Sequence, residues 1–154
     1  MISESTIAIR LLIAAGLGAA IGLEREWRVQ PAGLRTHMLV SVGACLFTLV
    51  GAYAFAGSTG GGVNADVTRV ASQVVVGVGF LGGGTILRHE GTIRGLTTAA
   101  TLWVAAALGL ATGAGFVFGG LIAAGVTLVA LTLLKPFERY LTTRLRERPK
   151  LPPD

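Results

Sequence analysis

The sequence predicts an all-α fold, a polytopic transmembrane helical bundle of five spans with the N-terminus outside and the C-terminus cytoplasmic. Three observations predict it. Hydrophobic residues fill 52% of the 154 positions and charged residues only 14%, against about 25% charged in soluble domains. The charges sit in short islands with long uncharged runs between them, and the basic residues gather in alternate islands. A mean hydropathy of +0.69 excludes a disordered chain. The single cysteine, Cys45, excludes a disulfide scaffold. The 23 glycines keep no three-residue period, which excludes a collagen-like chain.

Ser5 to Leu23 is a run of 19 residues broken only by Arg10. Met38 to Ala65 is uncharged, and Val70 to Leu87 gives 18 more residues. Each fits one helix across a hydrocarbon core of about 30 Å. Gly95 to Leu134 holds 40 residues without an ionisable group. As one helix it would reach about 60 Å at 1.5 Å per residue, so it must fold back. Gly113-Ala114-Gly115 is the expected turn, because glycine relaxes the backbone there. The expected spans are 5–23, 37–56, 70–87, 96–112 and 116–134. They form a membrane domain over 1–134, followed by a short basic cytoplasmic tail over 135–154. The first span is a retained helix rather than a cleaved leader: its n-region carries Glu4, and no A-x-A site follows.

With the N-terminus outside, the inner segments 24–36, 88–94 and 135–154 carry eleven of the 13 Lys and Arg residues, and only Arg10 and Arg69 lie outside. This is the positive-inside pattern. The tail's cations then anchor topology near anionic lipid, and no nucleic-acid partner is expected.

Helices in lipid associate where small residues let backbones approach. Gly18-xxx-Gly22, Gly79-xxx-Gly83 with Gly82 between, Gly109-xxx-Gly113 and Gly115-xxx-Gly119 supply such pairs. They point to a tight bundle, with some pairs available to a homo-oligomer. Gly16-Leu17-Gly18 through Gly33-Leu34-Arg35-Thr36 has a counterpart in Gly77-Val78-Gly79 through Gly95-Leu96-Thr97-Thr98, at an offset of 61 or 62 residues. This reads as a parallel repeat about an axis along the membrane normal.

Gly77 to Gly82 matches G-x-G-x-x-G, but the dinucleotide fingerprint also needs an acid about 20 residues on. Position 102 is Leu in an uncharged neighbourhood. No nucleophile, histidine and acid stand at motif spacing, so no enzymatic activity is expected. His37 and His89 fall at cytoplasmic span ends; a metal site with Glu24, Glu26 or Glu90 is open to them, though the spacing does not demand it. In Glu24-Arg25-Glu26-Trp27-Arg28 the two acids can form a paired network with Arg25, Arg28 and Arg35 at the membrane edge, which reads either as solvated anchor charges or as a docking or gating surface. Thr36, Thr97 and Thr98 lie near helix starts, where capping is the default role. Arg10 is expected either to snorkel outward or to pair with Asp66 at the outer end of span three. No carboxylate lies in the middle of a span, so a Mg²⁺ path lined by carboxylates within one chain is unsupported. Carbonyl-lined conduction in an oligomer stays open.

Four segments in order, Ile21-Gly22-Leu23-Glu24-Arg25-Glu26, Ala32-Gly33-Leu34-Arg35-Thr36-His37, Gly79-Phe80-Leu81-Gly82-Gly83-Gly84-Thr85-Ile86 and Arg94-Gly95-Leu96-Thr97-Thr98-Ala99-Ala100-Thr101-Leu102-Trp103, closely resemble the MgtC/SapB family. The resemblance covers about residues 10 to 120. It implies a bacterial inner-membrane protein of about five spans, linked in the best-known branch to Mg²⁺ limitation, survival inside host phagocytes and restraint of the ATP synthase. It implies functional roles for Glu24, Arg25, Arg35, Thr36, Asp66, Arg69, Gln73, Arg94 and Thr97. The chain departs from the family pattern in several places. Asp66-Val67-Thr68-Arg69 lacks the proline of Asp-Pro-x-Arg, and Gly83 stands where Gly-Phe-Leu-Gly-Ala-Gly has alanine. Thr97 and Val104 replace the Asn and Cys of some virulence-linked members. The short tail stands where many members carry a soluble C-terminal domain.

The expected function is therefore a non-enzymatic regulator of a membrane complex, in the resemblance the ATP synthase, tied to Mg²⁺ homeostasis. The alternative is an oligomeric transporter or channel for Mg²⁺ or another small ion. No cofactor is expected, with Mg²⁺ binding left open. The expected partners are the lipid bilayer, further copies of the chain and another membrane complex.

Overall fold

A computed structural model describes residues 2–54, 67–89 and 92–146. Its elements are α1 (Glu4–Trp27), α2 (Leu34–Leu49) running into a π-helical turn (Val50–Ala54), α3 (Val67–Gly84), β1 (Leu87–His89), β2 (Thr92–Arg94), α4 (Leu96–Gly113) and α5 (Val117–Arg146). Four helical stretches, Glu4–Trp27, Leu34–Tyr53, Leu96–Gly113 and Val117–Leu134, are long and apolar enough to cross a membrane.

The uncharged runs become helices because, in lipid, only internal hydrogen bonding satisfies the backbone. Ser3 starts α1 by accepting from the Thr6 N–H at 3.3 Å. The 40-residue run breaks at Gly113-Ala114-Gly115, where Gly115 takes φ +87, a region L side chains avoid.

Span three was expected over 70–87, but α3 ends at Gly84. Leu87–His89 pairs antiparallel with Thr92–Arg94, so a two-stranded hairpin is added to the all-α prediction. The run Gly82-Gly83-Gly84 weakens the helix here. The Thr85 and Ile86 N–H groups then bond back to Gly82 and Gly83, closing the helix end before the strand. The Gly33 and Gly95 positions singled out by the repeat are the N-caps of α2 and α4. Their φ values of −109° and +91° make the two turns different in detail.

Helix α4 is the central element and touches each of the other four α-helices. The core is three apolar clusters: Leu17, Ile21, Leu108 and Ala124 join α1, α4 and α5; Ala14, Cys45 and Leu49 join α1 to α2; Ala44, Val78 and Ala106 join α2, α3 and α4. Glycines set the spacing. A Cβ on Gly18 would lie 2.6 Å from the His37 carbonyl oxygen, and one on Gly22 would lie 2.7 Å from the Leu34 Cα. On α4, Gly109 meets the Ser41 carbonyl, and a Cβ on Gly113 would stand 2.7 Å from the Cys45 oxygen. Gly82 packs less tightly, with Ala99 at 3.5 Å. Gly79 and Gly83 face open space within one chain. Outside this core the helices turn large apolar side chains outward, including Leu12, Leu39, Phe80 and Phe118.

Candidate functional site

The charged end of the bundle is built from the last turn of α1 and the first turns of α2 and α4. Arg25 points inward and is only 4% exposed. Its Nε and Nη2 both lie 2.5 Å from one oxygen of Glu24. The other Glu24 oxygen pairs with Arg28, one turn on. One carboxylate is thus held between two guanidiniums, the arrangement that makes a buried charge tolerable. Glu26 has a different task. Gly33 has no side chain with which to cap α2, and the Glu26 Oε2 accepts the Leu34 N–H at 2.9 Å instead. The default assignment of Thr36 and Thr97 as caps is therefore corrected. Both are exposed, and neither α2 nor α4 carries a side-chain cap bond from its N-cap residue.

His37 lies directly behind this rim and is fully buried. Its Nδ1 stands 2.8 Å from the Gly33 carbonyl, which can only accept, so Nδ1 carries a proton. Its Nε2 stands 3.0 Å from the Thr101 Oγ, which in turn lies 2.9 Å from the Thr98 carbonyl. The Thr101 hydroxyl has one hydrogen, which it gives to the Thr98 carbonyl or, with neutral imidazole, to Nε2, so the two contacts compete for it. Among the described residues no group of three His, Cys, Asp or Glu side chains converges as a metal site; Glu90 lies outside the described residues.

At the opposite end the Arg10 Nη1 donates to the Gly113 carbonyl at 2.7 Å and to the Tyr53 hydroxyl at 3.4 Å. The guanidinium lies 5.9 Å from the Tyr53 ring centre. A cation thereby serves the unpaired carbonyl end of α4, where the helix dipole favours positive charge. Asp66, the expected partner, lies outside the described residues.

Between α2 and α3 runs an open cleft of about 820 Å³. Its walls include Leu39, Gly43 and Phe47 from α2 and Val74, Gly77 and Leu81 from α3, with Arg69 and Gln73 at one end. Ala44 and Val78, which also line it, pack with Ala106 of α4.

The structure thus brings Glu24 and Arg25 together and sets Arg69 and Gln73 one turn apart on the cleft. Arg35 and Arg94 are exposed, on separate elements, at the α2 start and on β2. Ser41 and Thr101 are buried polar residues to which sequence reasoning gave no role, and His37 and Thr98, read there as a span-end residue open to a metal site and as a cap, are buried with them. A signal existed: His37, Ser41, Cys45 and Thr48 recur at helical spacing and so share one face of α2.

The geometry defines a helical membrane protein, with four stretches long and apolar enough to cross a bilayer and a polar seam between its central helices. The MgtC family model matches residues 11–140, and the chain belongs to the MgtC family. It is 44% identical over 141 residues to YhiD of Escherichia coli K12, described as a "putative magnesium transporter", covering 91% of this chain and 64% of that protein. It is 44% identical over 127 residues to MgtC of Salmonella typhimurium LT2, covering 82% of this chain and 52% of that protein. A protein of Haemophilus influenzae is 39% identical over 142 residues, covering 90% of this chain and 60% of that protein. The chain thus spans between about half and two thirds of the length of these relatives. No solved structure matches.

Proposed function

We propose that the chain crosses the bacterial inner membrane five times, with α3 as the fifth span, the N-terminus outside and the C-terminus cytoplasmic. In this reading it is a non-enzymatic regulator of another membrane complex and serves Mg²⁺ homeostasis. The observation that supports it best is the contrast between a sealed interior and open helix faces. The His37, Ser41, Thr48, Thr101 and Thr112 side chains are each hydrogen-bonded to their own helix or to a neighbouring one, which supports a packed seam over a water-lined path through one chain. Helix α3 meanwhile turns Gly79, Phe80 and Gly83 outward, and most of the apolar part of α5 is exposed. In lipid, faces of small and apolar residues are where other helices approach closely. They suit another complex or a second copy of the chain.

An oligomeric transporter is the second reading, supported by the name of YhiD. Its path would lie between copies. Purified protein in liposomes separates the two: no Mg²⁺ or proton flux is expected beyond protein-free vesicles. Flux that disappears in a variant altered at the α3 face would overturn the regulator reading. Crosslinking in native membranes under Mg²⁺ starvation is expected to recover a second membrane complex, and recovery of this chain alone would count against regulation.

A further inference from the structure

We propose that the cleft between α2 and α3 is a binding site for one anionic phospholipid. The proposal rests on the reading of α3 as a membrane span. The order of polarity along the cleft carries it. Arg69 and Gln73 stand at one end, and from there to Leu81 the α3 wall is Val70, Val74, Gly77 and Val78. Arg69 immediately precedes the apolar run, which puts it at the depth of lipid headgroups. From Arg69 to Leu81 the cleft extends about 18 Å at 1.5 Å per residue. Half the hydrocarbon core is about 15 Å. The cleft therefore has the length of one leaflet's acyl chains, is polar where a phosphodiester lies and apolar where the chains lie. Its volume of about 820 Å³ falls in the range of small-molecule sites, about 300–1,000 Å³.

Charge complementarity selects the headgroup. A guanidinium offers five N–H donors in a planar fork, enough to hold a phosphate as well as its contacts within the protein, and Gln73 adds an amide N–H₂ one turn inward. Gly43 and Gly77 keep the cleft open, since a Cβ on either would meet no atom within 4 Å. One lines it from α2 and the other from α3. A second copy's apolar helix laid along the same cleft would match only its apolar length, whereas a phospholipid matches the polar end and the apolar length at once.

The test is native mass spectrometry of the full chain released from nanodiscs of equal phosphatidylglycerol and phosphatidylcholine. The wild type is expected to retain one phosphatidylglycerol per chain in preference to phosphatidylcholine. Gly77→Leu puts a side chain into the cleft at a position whose Cβ meets no atom within 4 Å, and is expected to reduce lipid adducts about tenfold, with helical circular dichroism unchanged. Gly43→Leu does the same from the opposite wall, so one misfolded variant does not decide the outcome. Arg69→Gln is expected to keep a lipid but lose the preference for phosphatidylglycerol. Lipid retention unchanged in both leucine variants overturns the site. So does a wild-type dimer that falls to monomer in those variants with lipid unchanged, which would place a second copy in the cleft. Labelling of Val76→Cys by a membrane-impermeant thiol reagent reads whether α3 spans the bilayer, separately from lipid retention. Neither readout involves flux or partner capture, so failure of the regulator reading and failure of the lipid site are distinguishable.

Discussion

The Nε2 of His37 lies 3.0 Å from the Thr101 Oγ across 64 residues of sequence, and this contact joins α2 to α4 just behind the charged rim. The His37 Nδ1 is committed to the Gly33 carbonyl, so the ring is fixed at both nitrogens. Thr101→Val removes the hydroxyl and keeps the shape. Interhelical hydrogen bonds in membranes average about 0.6 kcal/mol and reach about 1.7, so a loss in that range is expected from unfolding in mixed micelles. His37→Ala removes the same bond and leaves a cavity, and is expected to cost more than Thr101→Val. In a double-mutant cycle the two losses should fail to add. Strict additivity would mean the two side chains do not interact.

Glycine substitutions should sort by what a Cβ meets. Gly18→Ala and Gly109→Ala place a methyl against the backbone carbonyls of His37 and Ser41, atoms that move only if α2 moves. Overpacking of this kind costs about 1–3 kcal/mol or more, so both should lower the melting temperature in detergent. Gly82→Ala fits, with its nearest neighbour at 3.5 Å, while Gly82→Leu must push α3 from α4. Gly79→Ala and Gly83→Ala meet nothing within one chain, so monomer stability should hold, and any change in native-gel migration would report an interface between chains. Equal effects at Gly109 and Gly79 would contradict the packing described.

Glu24 is the carboxylate that keeps Arg25 inside the bundle. Removing one partner of a buried pair costs about 3–5 kcal/mol, because the other charge is left without compensation. Glu24→Ala is expected in the lower part of that range, since Glu24 is partly accessible at the rim. Arg35→Ala, at an exposed position, should stay within about 0.5 kcal/mol. Thermal unfolding of the three proteins in the same detergent checks the ranking, and a larger loss at Arg35 would make the exposed cation the structural one.

How far the sequence could be read follows from which forces act locally. The runs without charge are readable because a charge in hydrocarbon is expensive wherever the helix packs, and the turn at Gly113-Ala114-Gly115 is readable because one helix of 40 uncharged residues would exceed the membrane. The end of α3 was not, since Gly82-Gly83-Gly84 continues the apolar run while weakening the helix, and only pairing of Leu87–His89 with Thr92–Arg94 settles which effect wins. At the site, Glu24 and Arg25 are adjacent in sequence and their pairing is visible there. His37 is not, because its burial depends on Gly18 and Gly22 drawing α1 against α2 and on Thr101 arriving from α4. Thr36 misled as a cap because Glu26, from the preceding helix, takes the α2 position first, and Thr97 misled because the N-cap of α4 is Gly95, which carries no side chain to cap it.

Helix α1 closes with hydrogen bonds from the Gln30 N–H to the Arg25 carbonyl and from the Val29 N–H to the Glu26 carbonyl. This is the Schellman pattern, whose C′ residue adopts a left-handed conformation and is usually glycine. Here that residue is Val29, at φ +53. A β-branched side chain is strained in that region, by about 1–2 kcal/mol. Val29 is also about 90% exposed, so its side chain returns little packing. Val29→Gly is therefore expected to stabilise the protein by about 1 kcal/mol, less than the strain relieved because glycine gives the unfolded chain more freedom. Val29→Asn should gain less than Val29→Gly but still lie above the wild type. Thermal unfolding in detergent checks both. A drop in stability for Val29→Gly would mean that the valine side chain holds the turn through a contact outside the bundle, such as one at the membrane surface.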